Sequence, residues 1–242
     1  LRKTLKKSDR HGKRGEAEMK LLKKYKHILI IPAYAVFYLL GFFWLEHKVT
    51  NDYHIIHMPL DDIIPFCEYF IVPYFLWFAF IAAALIYFGF FNKDLKEYYQ
   101  LIFNLGIGMT LFLIISYIYP NGQDLRPETF ANDNVFTQMV QYLYSIDTPT
   151  NVFPSIHVYN SVAVGIAFMT CKRLQKHPVI RYSTVALAVS IVLATMFLKQ
   201  HSVSDVCCAL IMNLGSYMLL YHPHKVRSVS LASRKKKREI PT

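Results

Sequence analysis

Three short stretches of this chain hold residue types that bind phosphate and move protons. The first is Asn151-Val152-Phe153-Pro154-Ser155-Ile156-His157, where a polar loop meets a long apolar run. Pro154 lacks an N–H and disfavours helical geometry at Phe153, so a helix is expected to start just after it, with Ser155 as its cap. His157 then falls in the first turn, where free N–H groups and the positive end of the helix dipole favour an anion such as phosphate. An imidazole there can give or take a proton near neutral pH. A Pro-Ser helix start with a histidine at headgroup level is the plain alternative, so this stretch needs support from elsewhere.

The second stretch is Lys199-Gln200-His201-Ser202-Val203-Ser204-Asp205. His201 and Asp205 are four apart and share a helix face, so the carboxylate can orient the imidazole and raise its basicity. Ser202 and Asp205 also have the spacing of a capping box, in which Asp205 would bind backbone. A cap explains neither Lys199 nor His201, and the catalytic reading is preferred. The third stretch runs from Tyr119 to Pro127 and contains Arg126, whose guanidinium can hold two phosphate oxygens and stays charged.

The elements that must position these groups are membrane helices. With 54% hydrophobic and 15% aromatic residues in 242, the chain is too apolar for a soluble protein of this length. Apolar runs at 28–45, 69–91, 101–119, 156–171, 180–198 and 203–221 predict an all-α protein with six transmembrane helices in a bundle. Residues 46–67 mix charged and apolar types and suit an interfacial or re-entrant segment. Within it, His54 and His57 read as headgroup-level surface, since no tight set of further metal ligands accompanies them.

Charge sets the orientation. Six spans place both termini on one side, and of 27 Lys and Arg only Lys48, Arg126 and Lys199 fall in the segments on the other side, leaving 24 in the tails and the loops near 92–100 and 172–181. Both tails are therefore expected in the cytoplasm. The segments at 46–68, 120–155 and 199–202, with all three reactive stretches, face outward. The organisation is a basic cytoplasmic segment 1–27, a membrane domain 28–221 and a basic tail 222–242. A net charge of +11 concentrated at the tails and in short loops fits anionic headgroups and argues against nucleic acid. No cleavable signal peptide is evident. Cys67, Cys171, Cys207 and Cys208 are scattered, show no zinc spacing and read as packing residues.

Arg126-Pro127, Pro154-Ser155-x-His157 and His201-x-x-x-Asp205 occur in an order that resembles the type 2 phosphatidic acid phosphatase superfamily, over roughly residues 100–221. The resemblance implies a six-span membrane enzyme with His201 as the nucleophile that forms a phosphohistidine. Asp205 would orient His201, and His157 would be the general acid for the leaving alcohol. Ser155, Arg126 and Lys199 would hold phosphate oxygens. All three motifs depart from the family pattern: Tyr119 stands where the first motif has Lys, Ile156 where the second has Gly, and Ala194-Thr195 where the third opens with Ser-Arg. Lys199 is placed to replace one of the missing cations. These departures are more like the inositol phosphorylceramide synthase branch, whose acceptor is an alcohol.

The expected function is hydrolysis of a lipid phosphoester, of the phosphatidic acid or polyprenyl pyrophosphate type, at the outer face of the cell membrane. It needs no metal or cofactor, and its partners are the lipid phosphate and the surrounding lipids; a homo-oligomer stays open. A head-group phosphotransferase is the nearest alternative. A proton-coupled transporter would need ionisable residues near the bilayer midplane, and the middles of all six runs lack charge. A metal-dependent hydrolase would use His157, His201 and Asp205 as a two-His, one-carboxylate site, which activity in excess chelator would separate from phosphohistidine chemistry.

Overall fold

A computed structural model of the chain describes residues 24–49 and 52–221. Residues 1–23 of the basic segment 1–27, and the tail from 222, to both of which the sequence assigns cytoplasmic roles, lie outside the described residues. The protein is nearly all helical. A 3-10 turn at Lys26–Leu29 leads into α1 (Ile30–Lys48), and a surface segment carrying β1 (His54–Ile55) and the short α2 (Pro59–Ile63) follows. Next come α3 (Ile71–Ile86), with a 3-10 turn before it and a π-helical turn after it, and α4 (Leu95–Ile118). The segment after α4 holds β2 (Asn121–Gly122) and α5 (Val135–Ile146). The chain ends its described part with α6 (Ile156–Thr170), α7 (Pro178–Phe197) and α8 (Val203–Leu220).

Five helical segments are long and apolar enough to cross a membrane: Lys26–Lys48, Glu68–Phe91, Leu95–Ile118, Pro178–Phe197 and Val203–Leu220. The expected fourth span is α6, and its 15 residues fall short of that length. Its shortness goes with its place at the centre, packed against α3, α4, α7 and α8. Nine of its residues are buried, with Ala163, Gly165 and Ala167 among them allowing neighbouring helices to come close. Tyr159 makes the tightest of these approaches: a Cβ on Gly108 of α4 would lie 2.0 Å from its ring, so only glycine fits there. The main apolar core gathers around α6, from Phe80 and Phe88 through Tyr98 and Leu101 to Ile191 and Val206. A second cluster, with Ile71, Tyr74, Val140, Leu143, Ala194 and Leu198, joins α3, α5 and α7.

Two features of the surface segments were not read from the sequence. Residues 120–155, taken as one loop, contain α5, which buries Thr137, Val140 and Leu143 at three-residue spacing and is capped by Asn134, whose Oδ1 accepts from Thr137 N at 3.0 Å. The interfacial segment pairs with that region: β1 and β2 run parallel, with His54 opposite Asn121 and Ile55 opposite Gly122.

Candidate active site

The α6 start is built by Asn121. Its side chain, fully buried, accepts from Val152 N at 2.9 Å and Phe153 N at 2.8 Å, and donates to Tyr119 O at 2.7 Å. One amide thus fixes the backbone ahead of Pro154. Asn151 sits at a φ of 53°, a left-handed conformation disfavoured for residues other than glycine, and its side chain is held by Glu46 Oε1 at 2.7 Å. Ser155 caps α6 by accepting from Val158 N at 3.3 Å, and its own N–H reaches Asp205 O at 3.4 Å. The N-termini of α6 and α8 therefore meet, and the positive ends of two helix dipoles point at one place.

The two histidines lie there. His157 Nδ1 is 3.4 Å from His201 Nε2, and the His157 ring packs against Tyr74 and Trp77 of α3, with centroids 4.8 and 4.5 Å away. His201, only 7% exposed, has Nδ1 3.3 Å from Asp205 Oδ2. A carboxylate can only accept, so in the neutral imidazole the proton belongs on Nδ1, and Nε2 presents its lone pair toward His157. Asp205 also completes the capping box. The same Oδ2 accepts from Ser202 N at 3.0 Å, and Ser202 Oγ accepts from Ser204 N at 3.2 Å. The two readings of this residue coexist in one carboxylate.

Arg126 reaches the site through the residue before His201. Its Nη2 donates to Gln200 Oε1 at 2.8 Å and its Nη1 to Asp147 O at 2.8 Å, with longer contacts to Tyr144 O and Thr148 O at 3.4 Å. The guanidinium stacks 4.6 Å over the Tyr144 ring. Burial holds the Arg126 pKa below its ordinary value, and burial likewise pushes the Asp147 carboxyl up, against the opposing pull of Arg126 and then His201. The nearest carboxylate oxygen of Asp147 is 3.8 Å from Arg126. Lys199 turns toward the interfacial segment, its Nζ donating to Asp61 O at 2.6 Å, from a backbone with φ of 53°.

Of the six residues singled out in the sequence, then, His157, His201 and Asp205 are in direct contact. Ser155 joins the two helix starts, Arg126 connects through Gln200, and Lys199 connects to Asp61. The sequence reading assigned no site role to Asp61, Asn121, Gln200, Tyr74 or Trp77. Asn121 and Gln200 lay inside two of the reactive stretches and Asp61 among the charged residues of segment 46–67, whereas nothing in the sequence marked Tyr74 or Trp77. Among the described residues, no group of three or more His, Cys, Asp or Glu is arranged to hold a metal ion.

With a carboxylate-oriented imidazole facing a second imidazole, flanked by two helix N-termini, the arrangement can bind an anion, attack it from His201 and pass a proton through His157. Compared with known proteins, the chain matches no family model, no curated protein and no solved structure.

Proposed function

We propose that the chain is an integral membrane enzyme that cleaves a lipid phosphoester by transfer through His201. The observation that carries this reading is the order Asp205, His201, His157 along one line of contacts, with distances of 3.3 and 3.4 Å. His201 Nε2 attacks phosphorus and forms an N–P bond while the P–O bond to the lipid alcohol breaks. His157, protonated, gives its proton to the leaving oxygen. Water then attacks the phosphohistidine, His157 takes back a proton, the N–P bond breaks, and inorganic phosphate leaves with Nε2 restored. Asp205 steadies the positive charge that grows on His201, and the α6 and α8 N-termini counter the phosphate charge together with Arg126.

In this account α6 is the fourth of six crossings. At about 1.5 Å per residue it spans roughly 22 Å, less than the usual ~30 Å hydrocarbon core, so the Ser155 end lies recessed among its neighbours. Both tails are cytoplasmic, and the histidines face outward at the cell membrane. The alcohol-accepting reaction is a second reading, favoured by Tyr119, Ile156 and Thr195 at the positions named above; there an alcohol replaces water in the second step.

The test is phosphate release by the purified protein from a panel of lipid phosphates, with and without excess chelator, and with polyol acceptors added. Release that survives chelation supports the proposal. Transfer to a polyol with no free phosphate selects the second reading, and loss of all activity on chelation, restored by a divalent ion, contradicts both.

A further inference from the structure

Asp61 lies 141 residues before its main partner, Ser202, yet it is 3% exposed and fully engaged at the start of α8. Its Oδ2 accepts from Ser202 Oγ at 2.6 Å, its Oδ1 accepts from Val203 N at 2.8 Å, and its carbonyl accepts from Lys199 Nζ at 2.6 Å. These three partners bracket His201 on both sides. Met58 N completes the carboxylate's set at 2.7 Å, so α2 is closed on itself as it docks.

The contacts form a chain that ends on the imidazole. Asp61 fixes Ser202, and the Ser202 N–H and His201 Nδ1 share one oxygen of Asp205. The turn needs holding, because Lys199 occupies a left-handed conformation that is disfavoured in a non-glycine residue. The other end of the same segment supports His157. His54 N donates to Pro120 O at 2.9 Å and Ile56 N to Gly122 O at 2.8 Å, on either side of the Asn121 that shapes the approach to α6.

We propose that Asp61 is a positioning residue for His201, and that residues 54–61 form a strap setting the separation of the two histidines by holding the starts of α6 and α8 together. The inference rests on the reading of His201 as nucleophile. Misplacement of a reacting group by about 1 Å costs roughly a hundredfold in rate. Asp61→Ala should therefore lower kcat roughly 10- to 100-fold with KM changed by less than about threefold. Asp61→Asn should lose less, because its remaining carbonyl oxygen can still accept from Val203 N.

The experiment measures kcat and KM for wild type, Asp61→Asn, Asp61→Ala, Ser202→Ala and the Asp61→Ala/Ser202→Ala double variant. Alongside, it follows the rate of His201 modification by diethyl pyrocarbonate, mapped by mass spectrometry and referenced to His177 at the far end of α7. The proposal expects the double variant to lose little more than the worse single one, and the His201 labelling rate to change in both Asp61 variants. It is overturned if kcat per folded molecule and His201 labelling match wild type while only thermal stability falls, or if the Asp61 and Ser202 losses simply multiply. Should Asp61→Ala not fold, Asp61→Asn alone decides by the same readouts. A wild type that neither releases phosphate from any lipid nor transfers it to a polyol would refute the proposed activity, and the labelling comparison would still judge Asp61.

Discussion

One oxygen of Asp205 serves two donors: Oδ2 lies 3.0 Å from Ser202 N and 3.3 Å from His201 Nδ1. The start of the last helix and the orientation of the imidazole are thus one arrangement. Asp205→Asn keeps an oxygen able to accept from Ser202 N but loses the charge that balances a positive His201. We expect kcat to fall by roughly a hundredfold or more, as for other orienting carboxylates, while stability changes by no more than about 1 kcal/mol. Parallel kinetics and thermal melts in detergent check this, and equal losses in both would contradict it.

Arg126 is bound by four acceptors from two regions of the chain, an arrangement that a lysine cannot reproduce. Arg126→Lys should leave Gln200 Oε1 or the carbonyls of 144–148 without a donor, at about 1–3 kcal/mol for each buried group so abandoned. The measurable result is a lower melting temperature together with a KM that rises more than kcat falls. Wild-type stability in this variant would show that the fan of hydrogen bonds contributes little.

His57 and Asp62 form an exposed pair at 2.9 Å on the segment beside Asp61. The hydrogen bond to Asp62 raises the His57 pKa above its ordinary value near 6.5. A raised folded pKa means that this link stabilises the fold below about pH 6.5 and that its contribution fades as pH rises through the folded value. Because both side chains are largely in solvent, salt should weaken it. An NMR titration should find His57 above its usual value at low salt and back at it in Asp62→Asn; identical titrations would contradict the assignment.

Orientation is testable with single cysteines in a chain whose own four cysteines are replaced. An impermeant thiol reagent applied to intact cells should label cysteines at Asp124 and Asp133, and should not label ones at Ser8 or Ser233, which lie outside the described residues. Labelling of the tails from outside would invert the topology and turn the histidines inward.

Long-range contacts separate what the sequence reveals from what it hides. Apolar runs read directly as helices because composition alone marks them, and Ser155 was legible as a cap because Pro154 precedes it and an apolar run follows. His201 and Asp205 were legible as a pair because they are four apart, although the expected shared helix face is not formed: His201 precedes Ser202, the cap of α8, and meets Asp205 from the turn before the helix. Asp61 and Asn121 were not, since each takes its meaning from partners far along the chain: Ser202 for the first, Val152 and Phe153 for the second. The helix α5 escaped because its buried stripe, Thr137, Val140 and Leu143, opens on a polar residue and is too brief to stand out in a polar loop. The shortness of α6 was hidden for another reason, because an apolar run reads the same whether a helix faces lipid or is enclosed by other helices.

The central claim is that phosphorus passes through His201. Rapid quench of the enzyme with labelled substrate carrying a good leaving group, followed by mass spectrometry of the peptides containing residues 157 and 201, tests it most directly. The account predicts phosphate on His201, lost in His201→Ala and still formed slowly in His157→Ala, since such a leaving group needs little protonation. Phosphate on His157, or turnover with no label on either histidine, would contradict it.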